Sequence, residues 1–243
     1  MIFTTSWDDG DVSDFKLQEL IKSFGVKGTL YIPQISNHRS LNDNDIKELS
    51  NYFEIGAHTI THQNLINASN SEIEFEISES KSYIENIIGK KCDVFSYPYG
   101  LFNSQIESQV KKSGFLRARI VNKDFCEGSI LNNFHLPTTI QVCRHTKYLT
   151  AKFNAYQSNV NSLAKLFSNK IQTFKLNERG EYSWFEIATF IYSLVKQRNG
   201  IFHLWGHSWE IEEQNLWGDL KMFFQFVAED KDVVYTTNSG LFK

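Results

Sequence analysis

Four short stretches of the chain hold side chains able to do chemistry. Asp8 and Asp9 stand side by side before Gly10. Adjacent carboxylates repel each other unless a cation or different protonation roles separates them, and Gly10 lets the backbone turn sharply after them. His58 and His62 flank Thr-Ile-Thr, and two imidazoles four residues apart can converge on one metal ion when the segment makes a helical turn. Thr59 stands where an HExxH metalloprotease has its Glu, which disfavours that class. Joined by Asp9, the pair makes a two-His, one-carboxylate set with positions left open for water and substrate. That is what metal-assisted hydrolysis requires. Residues 95–100 (FSYPYG) and 204–207 (LWGH) complete the group. Each has a plain alternative: a capped turn for DDG, a Pro/Gly turn for YPYG, a structural hydrogen-bonder for His207.

The elements that must position these residues alternate. Residues 2–7 (IFTTSW) are β-branched and aromatic, a buried strand ending at Asp8 and Asp9. Phe15, Leu17, Leu20, Ile21 and Phe24 mark a helix over 13–24 that Gly25 closes. GTLYIP (28–33) predicts a second strand, 42–52 a helix, and 54–57 a short strand delivering His58. Ile73, Ile77, Ile84 and Ile88 share one face of a helix over 71–88, with Gly89 as its cap. A strand over 93–97 runs into PYG, and a helix covers 104–114. Trp184, Ile187, Ile191, Leu194 and Val195 mark another helix, followed by the strand IFHLW (201–205), a helix over about 215–228 and the strand VVYTT (233–237). This alternation predicts a mostly parallel sheet, open or closed into a barrel. Asp8, Asp9, His58, Tyr99 and His207 all fall just past strand ends, where both architectures place their sites.

A length of 243 residues suits one domain with a full core. The net charge of −3 offers no basic field for nucleic acid or anionic lipid. Cys92, Cys126 and Cys143 form no CxxC pair, so reduced thiols are expected rather than a disulfide framework. The N-terminus MIFTTSWDDG has none of the regions of a secretory signal, and no apolar run approaches the ~20 residues that cross a bilayer. A cytoplasmic location without stable membrane insertion is the resulting expectation.

In their order and strand-end placement the four stretches resemble the polysaccharide deacetylase family (NodB homology, carbohydrate esterase family 4). SWDDG (6–10), HTITH (58–62), SYPYG (96–100) and WGH (205–207) carry the resemblance, which spans residue 3 to about 237. It implies an α/β fold, a distorted (β/α) barrel with mostly parallel strands, filling residues 1–243 as one catalytic domain with a helical excursion at about 145–198. By the same resemblance Asp8 is the general base, and Asp9, His58 and His62 hold one divalent metal ion. Zinc is expected first, although cobalt, nickel and iron suit these ligands too. Thr59 would brace the histidine loop, the Tyr99 N–H would help form the oxyanion hole, and His207 would protonate the leaving amine. Tyr97, Pro98, Trp205 and Trp209 are expected on the substrate side, the two tryptophans flanking His207 with rings that can stack on a sugar.

Three departures from the family pattern stand out. Ser96 replaces an arginine that contacts the catalytic Asp; Arg117 or Arg119, in GFLRARIVNKD, can reach the same carboxylate from the next strand, and Arg119 is the preferred candidate. The acid that orients His207 is not evident, with Asp124 and Glu210 as candidates. Trp205 takes the place of a leucine beside the acyl pocket. The expected activity is metal-dependent removal of an N-acetyl group from an amino sugar. The substrate would be a small nucleotide-linked or lipid-linked precursor of a surface polysaccharide, with no nucleic-acid partner and a homo-oligomer compatible with the sequence. Deformylation or cleavage of another linear amide would use the same site. A non-catalytic carbohydrate-binding or structural protein with this fold is the alternative of another class, although it has no need of Asp8 beside a full ligand set. Tyr148, Phe153, Tyr156, Phe167, Phe174 and Tyr182 would either wall the pocket or belong to helices packed on the barrel.

Overall fold

The computed structural model describes residues 1–121, 132–144 and 182–242. Among these, strand β1 (Ile2–Asp8) is the centre of an eight-stranded sheet. On one side it pairs with β2 (Gly28–Ile32), which is followed outward by β3 (Glu54–Ala57), β4 (Val94–Ser96) and β5 (Arg117–Arg119). On the other side lie β7 (Ile201–Gly206) and then β6 (Ile140–Gln141). β8 (Val234–Thr236) takes the stretch of β1 from Ile2 to Thr4, ahead of the Thr5–Asp8 register with β2. Every strand pairing is parallel. Leu136 bridges to Arg119 of β5 and leads into β6, so residues 133–141 draw the two outer strands together. The result is the distorted (β/α) barrel that the resemblance implied.

β1 is buried on both faces, as a parallel strand covered by helices must be. Alternation divides its side chains. Phe3 stacks on Phe202 and meets Phe223 and Phe224 of the helix layer, whereas Ser6 turns inward and bonds to His203 of β7 at 2.8 Å. Asp8 has the inward parity of Thr4 and Ser6. On β7, Trp205 and then His207 follow the inward parity of His203.

The helices are α1 (Asp14–Phe24), α2 (Asp43–Leu49), α3 (Asn70–Ile88), α4 (Ser104–Lys112), α5 (Trp184–Gln197), α6 (Ser208–Glu213) and α7 (Trp217–Ala228). Gly25 and Gly89 close α1 and α3 in the left-handed conformation that glycine tolerates. Ser69 and Glu72 start α3 with a reciprocal capping box. The helix expected over 42–52 stops at Leu49, and α6, directly after His207, precedes the helix expected near 215. Of the region expected as an excursion, residues 145–181 lie outside the described residues, and 184–197 are α5. No helix among the described residues is long and apolar enough to cross a membrane.

Candidate active site

Asp8 ends β1, His58 follows β3, Tyr99 lies in the turn after β4, Arg119 ends β5 and His207 follows β7, so the carboxyl ends of five strands converge. Asp9 leaves β1 with φ 79°. That left-handed turn breaks the strand alternation after Asp8 and brings the Asp9 carboxylate to the histidines. Asp9 Oδ1 lies 3.5 Å from His62 Nε2 and 4.0 Å from His58 Nε2, and the two Nε2 atoms are 3.1 Å apart. Ligands on a tetrahedral ion at bonds of about 2.0–2.1 Å stand roughly 3.3 Å from one another. The three atoms therefore match the span of one cation, and this is the candidate metal cluster among the described residues. His58 Nδ1 meets the Ser96 carbonyl at 2.8 Å, which makes Nδ1 the protonated nitrogen and leaves the Nε2 lone pair to the cluster. Burial pushes the His58 pKa down to about 4 despite the Asp8 charge, so the ring is neutral at physiological pH.

The histidine loop is not helical. Thr59 and His62 both have positive φ, 66° and 55°. The His62 N–H donates to Thr59 Oγ1 at 3.0 Å. From α3, the buried Glu76 carboxylate accepts from Ile60 N at 2.8 Å, Thr61 N at 2.9 Å and Thr61 Oγ1 at 2.7 Å. Of the six non-glycine residues with positive φ among the described residues, Asp9, Thr59, His62 and Tyr99 belong to this site. Such strain persists only where surrounding contacts enforce it.

Arg119, fully buried, contacts both oxygens of Asp8, and its guanidinium lies 5.3 Å from the ring centres of Tyr31 and Trp205. Burial raises the Asp8 pKa, but Arg119, His58 and His207 outweigh it and hold the carboxyl below its usual range. Asp8 Oδ2 lies 3.9 Å from His58 Nε2. Across the cleft, His207 Nε2 lies 3.9 Å from Asp9 Oδ2, and His207 Nδ1 meets Glu210 Oε2 at 3.1 Å. Burial lowers the His207 pKa, but the Glu210 bond and the charges of Asp9 and Asp8 reverse this and raise it above 6.5.

A family model for polysaccharide deacetylases matches residues 2–118. Over that stretch, a little under half of its length, the chain is similar to the polysaccharide deacetylase family. A chitooligosaccharide deacetylase of Azorhizobium caulinodans is 38% identical over 61 residues, which is 25% of this chain and 29% of that protein. In backbone fold the chain resembles a Mycobacterium smegmatis protein assigned to the polysaccharide deacetylases, with TM-score 0.66, 13% identity and coverage of 99% of this chain and 88% of the other. It also resembles a family 4 acetyl xylan esterase of Clostridium thermocellum, solved with a cobalt ion, with TM-score 0.58, 14% identity and coverage of 100% and 90%. The chain spans less than half the length of the curated relatives it matches, 41% of one and 29% of the other.

The cleft encloses about 370 Å³ and is lined by Asp8, Asp9, His58, His62, Tyr99, Trp205, His207 and Trp209, together with Pro33, Ser36, Asn37, His38 and Val121. Arg119 stands behind Asp8 rather than on the cleft surface. Arg117 points elsewhere, over the Phe242 ring at 4.7 Å. Tyr99 is 62% exposed at the rim, and its ring edge meets His62 at 4.9 Å.

Two expected substrate contacts need correction. Tyr97 is fully buried, stacked on Phe102 and edge-on to Phe95, because it continues the Phe95 side of β4, opposite to Ser96, into the core. Pro98 is likewise buried as the first residue of the following turn, so neither lines the cleft. Trp209 lines the cleft, but His38 covers one face of its ring at 4.0 Å, which removes that face as a stacking platform. Of the two acids considered for His207, Glu210 is in contact and Asp124 lies outside the described residues. Sequence reasoning missed His38 and Glu76. His38 sits in a loop with no periodicity to mark it, but Glu76 had a signal: a carboxylate on the apolar stripe between Ile73 and Ile77.

Proposed function

We propose that this protein removes an acetyl group from the nitrogen of an amino sugar, using one divalent cation, zinc foremost, held by Asp9, His58 and His62. The observation that carries the reading is the convergence of these three ligand atoms between a buried ionised carboxylate, Asp8, and a histidine biased toward its protonated form, His207. A bound cation would polarise the amide carbonyl and lower the pKa of a water from 15.7 toward about 7. Asp8 takes the proton that the attacking water gives up. Arg119 keeps that carboxylate ionised and fixes its direction. The Tyr99 N–H helps meet the negative charge that develops on the carbonyl oxygen. His207 delivers its Nε2 proton to the departing nitrogen, and Glu210 on Nδ1 keeps the ring charged until then.

The cleft lies at the small end of ligand pockets, so we place a single acylated sugar unit in it. The substrate class we propose is a nucleotide-linked or lipid-linked amino-sugar precursor in the cytoplasm. Incubation with N-acetylated, N-formylated and simple amide substrates tests the acyl and substrate class, with release of acetate from the amino sugar as the expected result. Asp8→Asn, which keeps size and removes the base, should lower turnover by roughly 10²–10⁴-fold while retaining the metal. A rate equal to wild type would take Asp8 out of the reaction.

A further inference from the structure

The two oxygens of Asp9 have different surroundings. Oδ1 faces the histidine nitrogens of the cluster. Oδ2 accepts a hydrogen bond from the Trp209 indole N–H at 3.0 Å. The His38 ring lies nearly flat on Trp209, with centroids 4.0 Å apart and planes at 12°, and the His207 ring leans against the same indole at 5.1 Å and 32°. Trp209 is thereby in contact with two rings while its N–H donates to Asp9.

The loop that brings His38 to this position is firmly attached. The Ile35 N–H donates to the Ile60 carbonyl at 2.7 Å, tying the loop to the histidine turn. On the other side of His38, the Arg39 N–H and guanidinium both donate to the buried Asp11 carboxylate, at 3.1 and 3.0 Å. Val12 N donates to the Arg39 carbonyl at 3.0 Å, and Leu41 N to the Gly10 carbonyl at 3.1 Å. The segment before His38 is therefore fastened to the histidine turn, and the segment after it to the turn that carries Asp9.

We infer that Trp209, capped by His38, is a positioning residue for the Asp9 ligand: its N–H occupies Oδ2 so that Asp9 offers the cation Oδ1 alone. This rests on the metal reading proposed above. A carboxylate free to rotate presents both oxygens in turn, whereas one oxygen pinned by a fixed donor leaves a single, directed ligand atom. Partners of this kind behind a metal ligand typically contribute 10–100-fold in metal affinity.

Trp209→Phe keeps a ring for His38 to cover and deletes only the donor. Zinc affinity, measured by competition with a chromophoric chelator, should fall 10–100-fold. In the cobalt-loaded variant the visible absorption should weaken, because a carboxylate bound through both oxygens raises the coordination number. The metal-free variant should melt within a few degrees of wild type, which separates this role from a purely structural one. His38→Ala leaves the N–H but uncovers the indole, and it should lower zinc affinity in the same direction by a smaller factor. Zinc affinity within about twofold of wild type in both variants would overturn the inference while leaving the proposed function standing. A wild-type protein that binds neither ion would overturn both.

Discussion

Asp8 is a buried carboxylate that stays ionised because a buried guanidinium stands against it. Ser96 of β4 and Arg119 of β5 are register partners, so the cation comes from one strand further along the sheet than the family pattern places it. Alternation along β5 could not select Arg119 over Arg117, because residues two apart on a strand share a face; what separates them is depth along the strand, Arg119 reaching Asp8 and Arg117 lying over the Phe242 ring. Nor did any periodic rule reach His38 or Tyr97: one lies in a loop, the other just past a strand end, where period-two reasoning stops. Glu210 is the residue whose removal reads out the proposed acid. It raises the His207 pKa through the bond to Nδ1, and the protonated ring is the active form, so activity should decline as pH rises through that pKa. Glu210→Gln should move this alkaline limb of the kcat profile to lower pH. A limb that stays in place, measured over pH 5–10, would separate His207 from the acid role.

The histidine turn illustrates what one element owes to another. Spacing alone suggested a helical turn for His58 and His62. The chain instead leaves β3 through two left-handed residues, and the rings converge because Thr59 and Glu76 hold the turn from inside. That geometry was not legible locally, since the carboxylate that stabilises it comes from α3. Strand and helix existence was largely legible, because buried parallel strands and amphipathic helices carry strong periodic signals, whereas α6 was too short to show one. Glu76→Ala would leave two backbone N–H groups and a hydroxyl without their buried acceptor. A loss of about 2–3 kcal/mol in urea unfolding is expected, along with weaker metal binding as the turn loosens. Stability and affinity both equal to wild type would show that the turn holds itself.

Across the whole molecule, the barrel brings residues from five strand ends to one cleft, and its closing side depends on residues 133–141, which no sequence pattern marked. Another such feature is Asp14, at the start of α1. Burial pushes its pKa up to about 8, with Asp11 and Asp9 acting in the same direction against the Ser208 hydroxyl. The folded state thus retains a proton that the unfolded chain releases near 3.8. Its stabilising effect is full below that value and is lost as pH rises through about 8. Asp14→Asn should flatten this part of the stability profile, as read from urea midpoints between pH 5 and 9. An unchanged slope would mean that Asp14 is ionised in the fold.

The most direct test of the central claim is metal stoichiometry together with turnover. Purified protein, stripped by chelator and titrated with zinc, should bind one equivalent and regain hydrolysis of the acetylated amino sugar in proportion. Asp9→Ala and His58→Ala should each abolish tight binding. Full turnover by the stripped protein, or one tightly held equivalent in both variants, would contradict the account.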